Sequence, residues 1–194
     1  VDEDGPKRLR ADAAQNADRL LAAAVRAGLG EGRPVPMARI AADAGVGIGT
    51  LYRRFPNREA LLEAMQQRAA GILIEVAQDA LAEGGTGLDA IGRFLRRSFE
   101  HRDELVLPLH GAPAFDGPET VALRERLRTA LAALVERGHD DGSVRSDVTA
   151  GTVVRFGAML AQPMTAVQGW AELAEEQRRI FLLGIAARRE DPSR

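Results

Sequence analysis

The chain has 194 residues, 45% of them hydrophobic, with a net charge of −2, which is material enough for a substantial core. It contains no cysteine, which excludes disulfides, thiolate nucleophiles and zinc sites built on sulfur. No apolar run approaches the roughly 20 residues needed to span a bilayer, and the acidic start from Val1 to Pro6 lacks the apolar centre of a signal peptide, so a cytoplasmic protein is expected.

Aromatic residues make up only 4% of the chain, while Ala, Leu, Glu and Arg abound, a mixture that loses little freedom in a helix. From Ala11 to about Leu29, the residues Ala17, Leu20, Leu21, Ala24 and Val25 recur at helical spacing until Gly28, Gly30 and Gly32 stop the run. Arg33-Pro34-Val35-Pro36 is a stiff connector. Met37 to Ala44 is a short helix ended by Gly45, and a second runs from Gly47 or Ile48 to Phe55, stopped by Pro56. Arg58 to Ala82 is a long helix with an apolar stripe through Leu61, Leu62, Met65, Ala69, Ile72, Leu73, Val76 and Ala80. After Glu83-Gly84-Gly85-Thr86-Gly87, helix resumes at Leu88 and reaches about Arg102. Leu105 to Pro118 is irregular, with a short helix around Val106 to His110. Pro118 to Gly138 is helical, with Val121, Leu127, Leu131, Leu134 and Val135 on one side. Two helices close the chain, Asp147 to Gln162 and Ala171 to Ala187, separated around Pro163. No alternating strand pattern occurs, so the expected fold is all-α with about nine helices: three short ones, then a longer helical body.

Charge divides unevenly along this order. Between Lys7 and Arg58 stand ten basic and four acidic residues, whereas residues 59–194 carry a net −5. A basic segment on an acidic body suits a protein that touches phosphate at one end. The stretch Ile40 to Phe55 gives that end a shape. Ala41 is small where two short helices meet, Gly45 supplies a left-handed turn, and Val46, Leu51 and Phe55 hold the pair to its domain. Ile48, Gly49, Thr50, Tyr52, Arg53 and Arg54 are left on the start and outer side of the second helix. Hydroxyl, phenol and guanidinium groups there suit a recognition helix in the major groove.

The string Ile40, Ala41, Ala44, Gly45, Val46, Gly49, Thr50, Leu51, Tyr52, Phe55 and Leu61 resembles the TetR family of transcription regulators, and Arg54 to Leu61 looks like its branch with an SbtR-like C-terminal domain. The resemblance implies a helix-turn-helix DNA-binding domain over residues 7–58 and a ligand-binding and dimerisation domain over 59–190. Gly47 stands where the family usually has a capping Ser, Pro36 where a Ser or Thr precedes the second helix, and Arg58 where a Lys opens the fourth. The implied DNA-binding set is therefore Gly47, Ile48, Gly49, Thr50, Tyr52, Arg53, Arg54 and Arg58, acting on double-stranded DNA with a pseudo-palindromic operator. The implied assembly is a homodimer through the last two helices, which carry Val153, Val154, Phe156, Gly157, Leu160 and Ala161, then Leu173, Ile180, Phe181, Leu183 and Ile185; several of these must be intramolecular core, but both helices are too apolar on more than one side to be covered by one protomer. A small, largely apolar effector is expected among helices five to eight, where Phe94, Phe99, Phe115, Met159, Met164 and Trp170 are candidate contacts and His101 and His110 candidate polar anchors. Repression relieved by that ligand is the expected mode.

Other chemistry finds no support in the residues. His101, His110 and His139 share no ligand spacing, so no metal is expected. The serines lack a nucleophile-elbow context, and the glycine-rich pieces lack a phosphate-loop ending. No cofactor is implied and no enzyme is expected. The alternative is a helical small-molecule enzyme or carrier whose N-terminal bundle only packs.

Overall fold

The computed structural model describes residues 16–26, 35–105, 115–162 and 168–187. Residues 16–26 are helical (α1), followed by α2 (Met37–Asp43), α3 (Ile48–Arg54), α4 (Arg58–Ala82), α5 (Gly87–Glu100), α6 (described over residues 102–105), α7 (Pro118–Asp140), α8 (Ala150–Ala161) and α9 (Trp170–Ile185). Among the described residues there is no strand, only an isolated antiparallel bridge between Val144 and Ala186. No described helix is long and apolar enough to cross a membrane.

Two compact units divide between Gln66 and Gln67, inside the continuous helix α4. In the first unit, Leu20, Ala23, Ile40, Ala41, Leu51, Phe55, Leu61 and Met65 form one buried cluster, so α1, α2, α3 and the opening turns of α4 share a core. In the second, Ala77, Ala80, Ile91, Leu95, Leu134 and Val153 are fully or almost fully buried, and α5 packs against α7, α8 and α9.

The junction of α4, α5 and α7 is built from polar contacts. Arg93 donates to the Ala80 carbonyl at 2.9 and 3.1 Å and to that of Gly84 at 2.5 Å, while Arg137 donates to the Leu81 carbonyl at 2.9 Å and to that of Gly85. The Ala80 and Leu81 carbonyls at the end of α4, and those of Gly84 and Gly85 just beyond it, are thus met by cations placed where the helix dipole favours them. The opening amides of α5 are equally complete. Gly87 N donates to Asp141 Oδ2 at 2.7 Å, Leu88 N to Ser143 Oγ at 3.0 Å, Asp89 N to Thr86 Oγ1 at 3.2 Å and Ala90 N to the Thr86 carbonyl at 3.0 Å. Here α5 and α7 cross at backbone contact: a Cβ on Gly87 would fall 2.1 Å from Gly138 N.

Several boundaries differ from the sequence expectation for local reasons. Helix α5 starts at Gly87 because Thr86 and Asp89 form a reciprocal capping box, and it stops at Glu100, where His101 leaves helical geometry and its amide closes on the Arg97 and Phe99 carbonyls. Helix α8 starts at Ala150 rather than Asp147, since Thr149 and Thr152 make a second such box while Val148 turns into the core. Helix α9 ends at Ile185 because Ala186 is drawn into the bridge with Val144. Val121, expected on the core side of α7, is exposed. The glycine stop after α1, most of the irregular segment from Leu105 to Pro118 and the break at Pro163 lie outside the described residues.

Candidate nucleic-acid interface

The turn between α2 and α3 follows from one residue. Gly45 adopts φ +68°, its amide donates to the Ala42 carbonyl at 3.0 Å, and Val46 N donates to the Ala41 carbonyl at 3.0 Å. A left-handed glycine just past a helix satisfies the last carbonyls and redirects the chain. Gly47 then caps α3 in extended conformation without any side-chain bond, as the missing serine implies. Leu51 and Phe55 are buried on the inner side of α3, with Ile40 and Ala41 of α2 in the same cluster.

That anchoring fixes what the outer side presents. Gly47, Gly49, Arg53 and Arg54 are exposed, Thr50 is half-buried, and Ile48 and Tyr52 are 43% and 49% exposed although both are large and apolar in body. Arg53 Nη2 donates to Thr50 Oγ1 at 3.2 Å, so the guanidinium and the hydroxyl one turn earlier form one polar feature. The Arg54 guanidinium lies 6.0 Å from the Phe55 ring centroid, at the outer limit of a cation–π contact. A Cβ on Gly49 would meet nothing within 4 Å. The fold of this chain therefore does not require glycine there.

Arg58 is placed differently from the others. Its Nη1 donates to the Val35 carbonyl at 2.6 Å, tying the first turn of α4 to the residue before Pro36. A guanidinium has five N–H donors, so this bond leaves others available. Asn57 caps α4, its Oδ1 accepting from Ala60 N at 2.8 Å. Sequence reasoning passed over that cap, although Asn just before a helix is a readable signal.

The residues proposed for an effector are not gathered in one place. Phe94 is 2% exposed, within the core of the body. Phe99 is half-buried beneath the Arg102 guanidinium, 4.7 Å from its ring centroid, and lines a cleft between α5, α8 and α9. Trp170 adjoins that cleft, its indole N–H donating to the Leu160 carbonyl at 3.1 Å. His101 is exposed with Nδ1 3.5 Å from Glu104, whose other oxygen accepts from Arg68 Nε at 2.7 Å. Phe115 is half-buried, and its carbonyl accepts from Arg124. Met159 is 69% exposed, while His110 and Met164 lie outside the described residues.

The dimer candidates sort into two sets. Val153, Leu160, Ala161 and Ile185 are buried within the chain itself. Val154, Phe156, Gly157 and Phe181 are half-buried, with the two phenyl rings stacked at 3.9 Å. Leu173, Ile180 and Leu183 are exposed, as is Met159. Among the described residues no group of His, Asp and Glu is arranged to hold a metal ion.

A glycine-turned pair of short helices, the second buried on one side and presenting Thr, Tyr and Arg on the other, defines a helix-turn-helix transcription regulator. Residues 20–65 match the model of the bacterial regulatory proteins, tetR family. The chain is 30% identical over 113 residues to the HTH-type transcriptional regulator NfxB of Pseudomonas aeruginosa, covering 57% of this chain and 60% of that one. It is 31% identical to the solved TetR transcriptional regulator SCO0520 from Streptomyces coelicolor, covering 89% of this chain and 99% of that structure at a TM-score of 0.64. AibR, solved in complex with isovaleryl coenzyme A and operator DNA, shares the fold at 15% identity and a TM-score of 0.66, covering 85% and 97%. The chain belongs to the TetR family.

Proposed function

We propose that the chain is a homodimeric repressor that binds a pseudo-palindromic operator in the cytoplasm and is released by a small effector. Residues 7–58 are the DNA-binding part in this reading and residues 59–190, with a body of the SbtR-like kind, the ligand-binding and dimerisation part. The observation that carries the proposal is the outer side of α3, where Ile48, Tyr52 and the Thr50–Arg53 pair stand exposed on a helix whose inner side is buried. A helix serving only packing has no use for that arrangement. Gly49 adds to it, because a glycine not demanded by its own fold suits close approach of another molecule's backbone.

One recognition helix reads only a few base pairs, so selectivity calls for two copies spaced near a helical turn of DNA or somewhat more. The exposed Met159, Leu173, Ile180 and Leu183 on α8 and α9 supply an apolar surface for a second copy, in keeping with the family. Effector control requires only that the ligand prefer the released form over the DNA-bound one.

Tyr52→Ala tests the assignment. The phenol is exposed, so the variant should keep its helicity and dimer mass while losing operator binding in a gel-shift titration. Operator affinity equal to wild type in a folded variant would remove α3 from the interface.

A further inference from the structure

Ile48 brings the only wholly apolar side chain to the proposed reading side of α3. It is the first residue of that helix and is exposed. Single apolar residues are common on surfaces, so exposure alone carries little. The setting carries more. Met37, Ala44, Val46, Leu62 and Ala64 are the partly buried residues that pack against the core of the first unit, and Ile48 is not one of them. Its role is therefore not to close that core.

The neighbours of Ile48 leave it uncovered and surround it with positive charge. Gly47 and Gly49 flank it in sequence, and a Cβ added at Gly49 would meet nothing within 4 Å, one at Gly47 only Thr50 Oγ1 at 4.0 Å. Helix α3 holds no acidic residue, and Arg53 and Arg54 stand in its last turn. The nearest carboxylate in sequence, Asp43, is paired with Arg39 at 3.4 Å. A protruding branched hydrocarbon on a cationic helix fits a polyanion that presents an apolar spot. In the major groove of DNA that spot is the 5-methyl group of thymine.

We propose that Ile48 fixes one base pair in each operator half-site by packing on the 5-methyl group of a thymine. This rests on the operator-binding reading above and adds the chemical feature that the site must carry. The opening residues of a recognition helix are the ones that reach base edges, which is where Ile48 stands. The donors of Arg53 and Arg54 meet acceptors, and thymine and uracil present the same acceptors. Only a carbon contact senses the methyl group by which the two bases differ.

The test begins with selection of binding sites by the wild-type protein from a library of random duplex DNA. In the enriched duplex each thymine is replaced in turn, in both half-sites, by deoxyuridine, which keeps the pairing and removes the methyl group. One such replacement should lower wild-type affinity about fourfold per half-site, the value of one buried methyl group, and roughly fifteenfold for two. Ile48→Ala should bind the thymine and deoxyuridine duplexes alike, whereas Ile48→Val should keep a smaller preference of about twofold per half-site. Both variants should keep the wild-type circular dichroism, since the side chain lies outside the core cluster. The proposal is overturned if wild type binds every deoxyuridine duplex as tightly as the parent, or if the loss persists undiminished in the variants. Enrichment of no sequence by wild type would instead overturn the operator reading and this proposal with it, so the two failures are told apart.

Discussion

The crossing of α5 and α7 makes Gly87→Ala the most sharply defined perturbation of the body. A Cβ at position 87 would lie 2.1 Å from Gly138 N, 2.2 Å from Gly138 Cα and 2.8 Å from the Arg137 carbonyl carbon. All three are backbone atoms, so no rotamer change relieves the overlap. Relaxed carbon contacts lie at about 3.5–4.0 Å, so the helices must part by roughly 1.4–1.9 Å. Overpacking of this kind costs about 1–3 kcal/mol. Parting also stretches the 2.7 Å bond from Gly87 N to Asp141, and a hydrogen bond to a charged group is worth about 1.5–3 kcal/mol. Replacing a helical glycine returns at most about 1 kcal/mol. The net loss is about 2–4 kcal/mol, which for a chain of this length lowers the melting midpoint by about 5–15 °C. Thermal and urea unfolding followed by far-ultraviolet circular dichroism measure it. Gly71→Ala, inside α4 where a Cβ meets nothing within 4 Å, is the control and should gain up to about 1 kcal/mol. A Gly87→Ala protein as stable as wild type would refute the close-crossing argument.

Three further outcomes are expected. Arg58→Ala should weaken binding to operator and scrambled duplex alike and flatten the slope of log affinity against log salt by about one unit per protomer; it should also destabilise the protein, since the bond to Val35 is lost, and a changed selectivity at constant slope would contradict the phosphate role. Replacing Arg53 should cost about 1–3 kcal/mol at the correct site and relax selectivity at one base pair, and Thr50→Val, which removes its 3.2 Å partner, should produce a smaller loss at that same pair; a uniform loss across sequences would place Arg53 on phosphate instead. Asp141, bonded by Ser143 and by the Gly87 and Ser143 amides, has its carboxyl held below the ordinary aspartate range, so its stabilisation is present above about pH 4 and fades as pH falls through the lower folded value. Asp141→Asn should therefore be less stable at neutral pH and converge on wild type in strong acid; equal stability at pH 7 would count against the capping role.

What the sequence revealed and what it hid separate by distance along the chain. The turn at Gly45, the buried Leu51 and Phe55 and the full span of α4 from Arg58 to Ala82 were legible, because each depends on neighbours within one or two helical turns. The start of α8 was expected at Asp147, an acidic residue of the kind that opens helices, yet the Thr149 cap decides where helix begins. Contacts between remote residues left no local trace: Arg58 meets Val35 across 23 positions, and Asp141 meets Gly87 across 54. Choosing effector contacts by side-chain type grouped residues that the fold scatters, with Phe94 in the core and Met159 facing out. The cleft beside Phe99 depends on Arg96, Leu160 and Ala174 arriving from three helices, a convergence no linear pattern encodes.

The caps of α5 also set an order on the growing chain. Its third and fourth amides are satisfied by Thr86, which precedes the helix, but the first two are satisfied only by Asp141 and Ser143. A nascent chain ending anywhere before residue 141 holds α5 with its leading donors open to water and with no α7 terminus to lean on. The amides that open α5 are therefore completed only once residue 143 has been made, whereas every residue of the cluster formed by Leu20, Ile40, Leu51, Phe55 and Leu61 precedes residue 66.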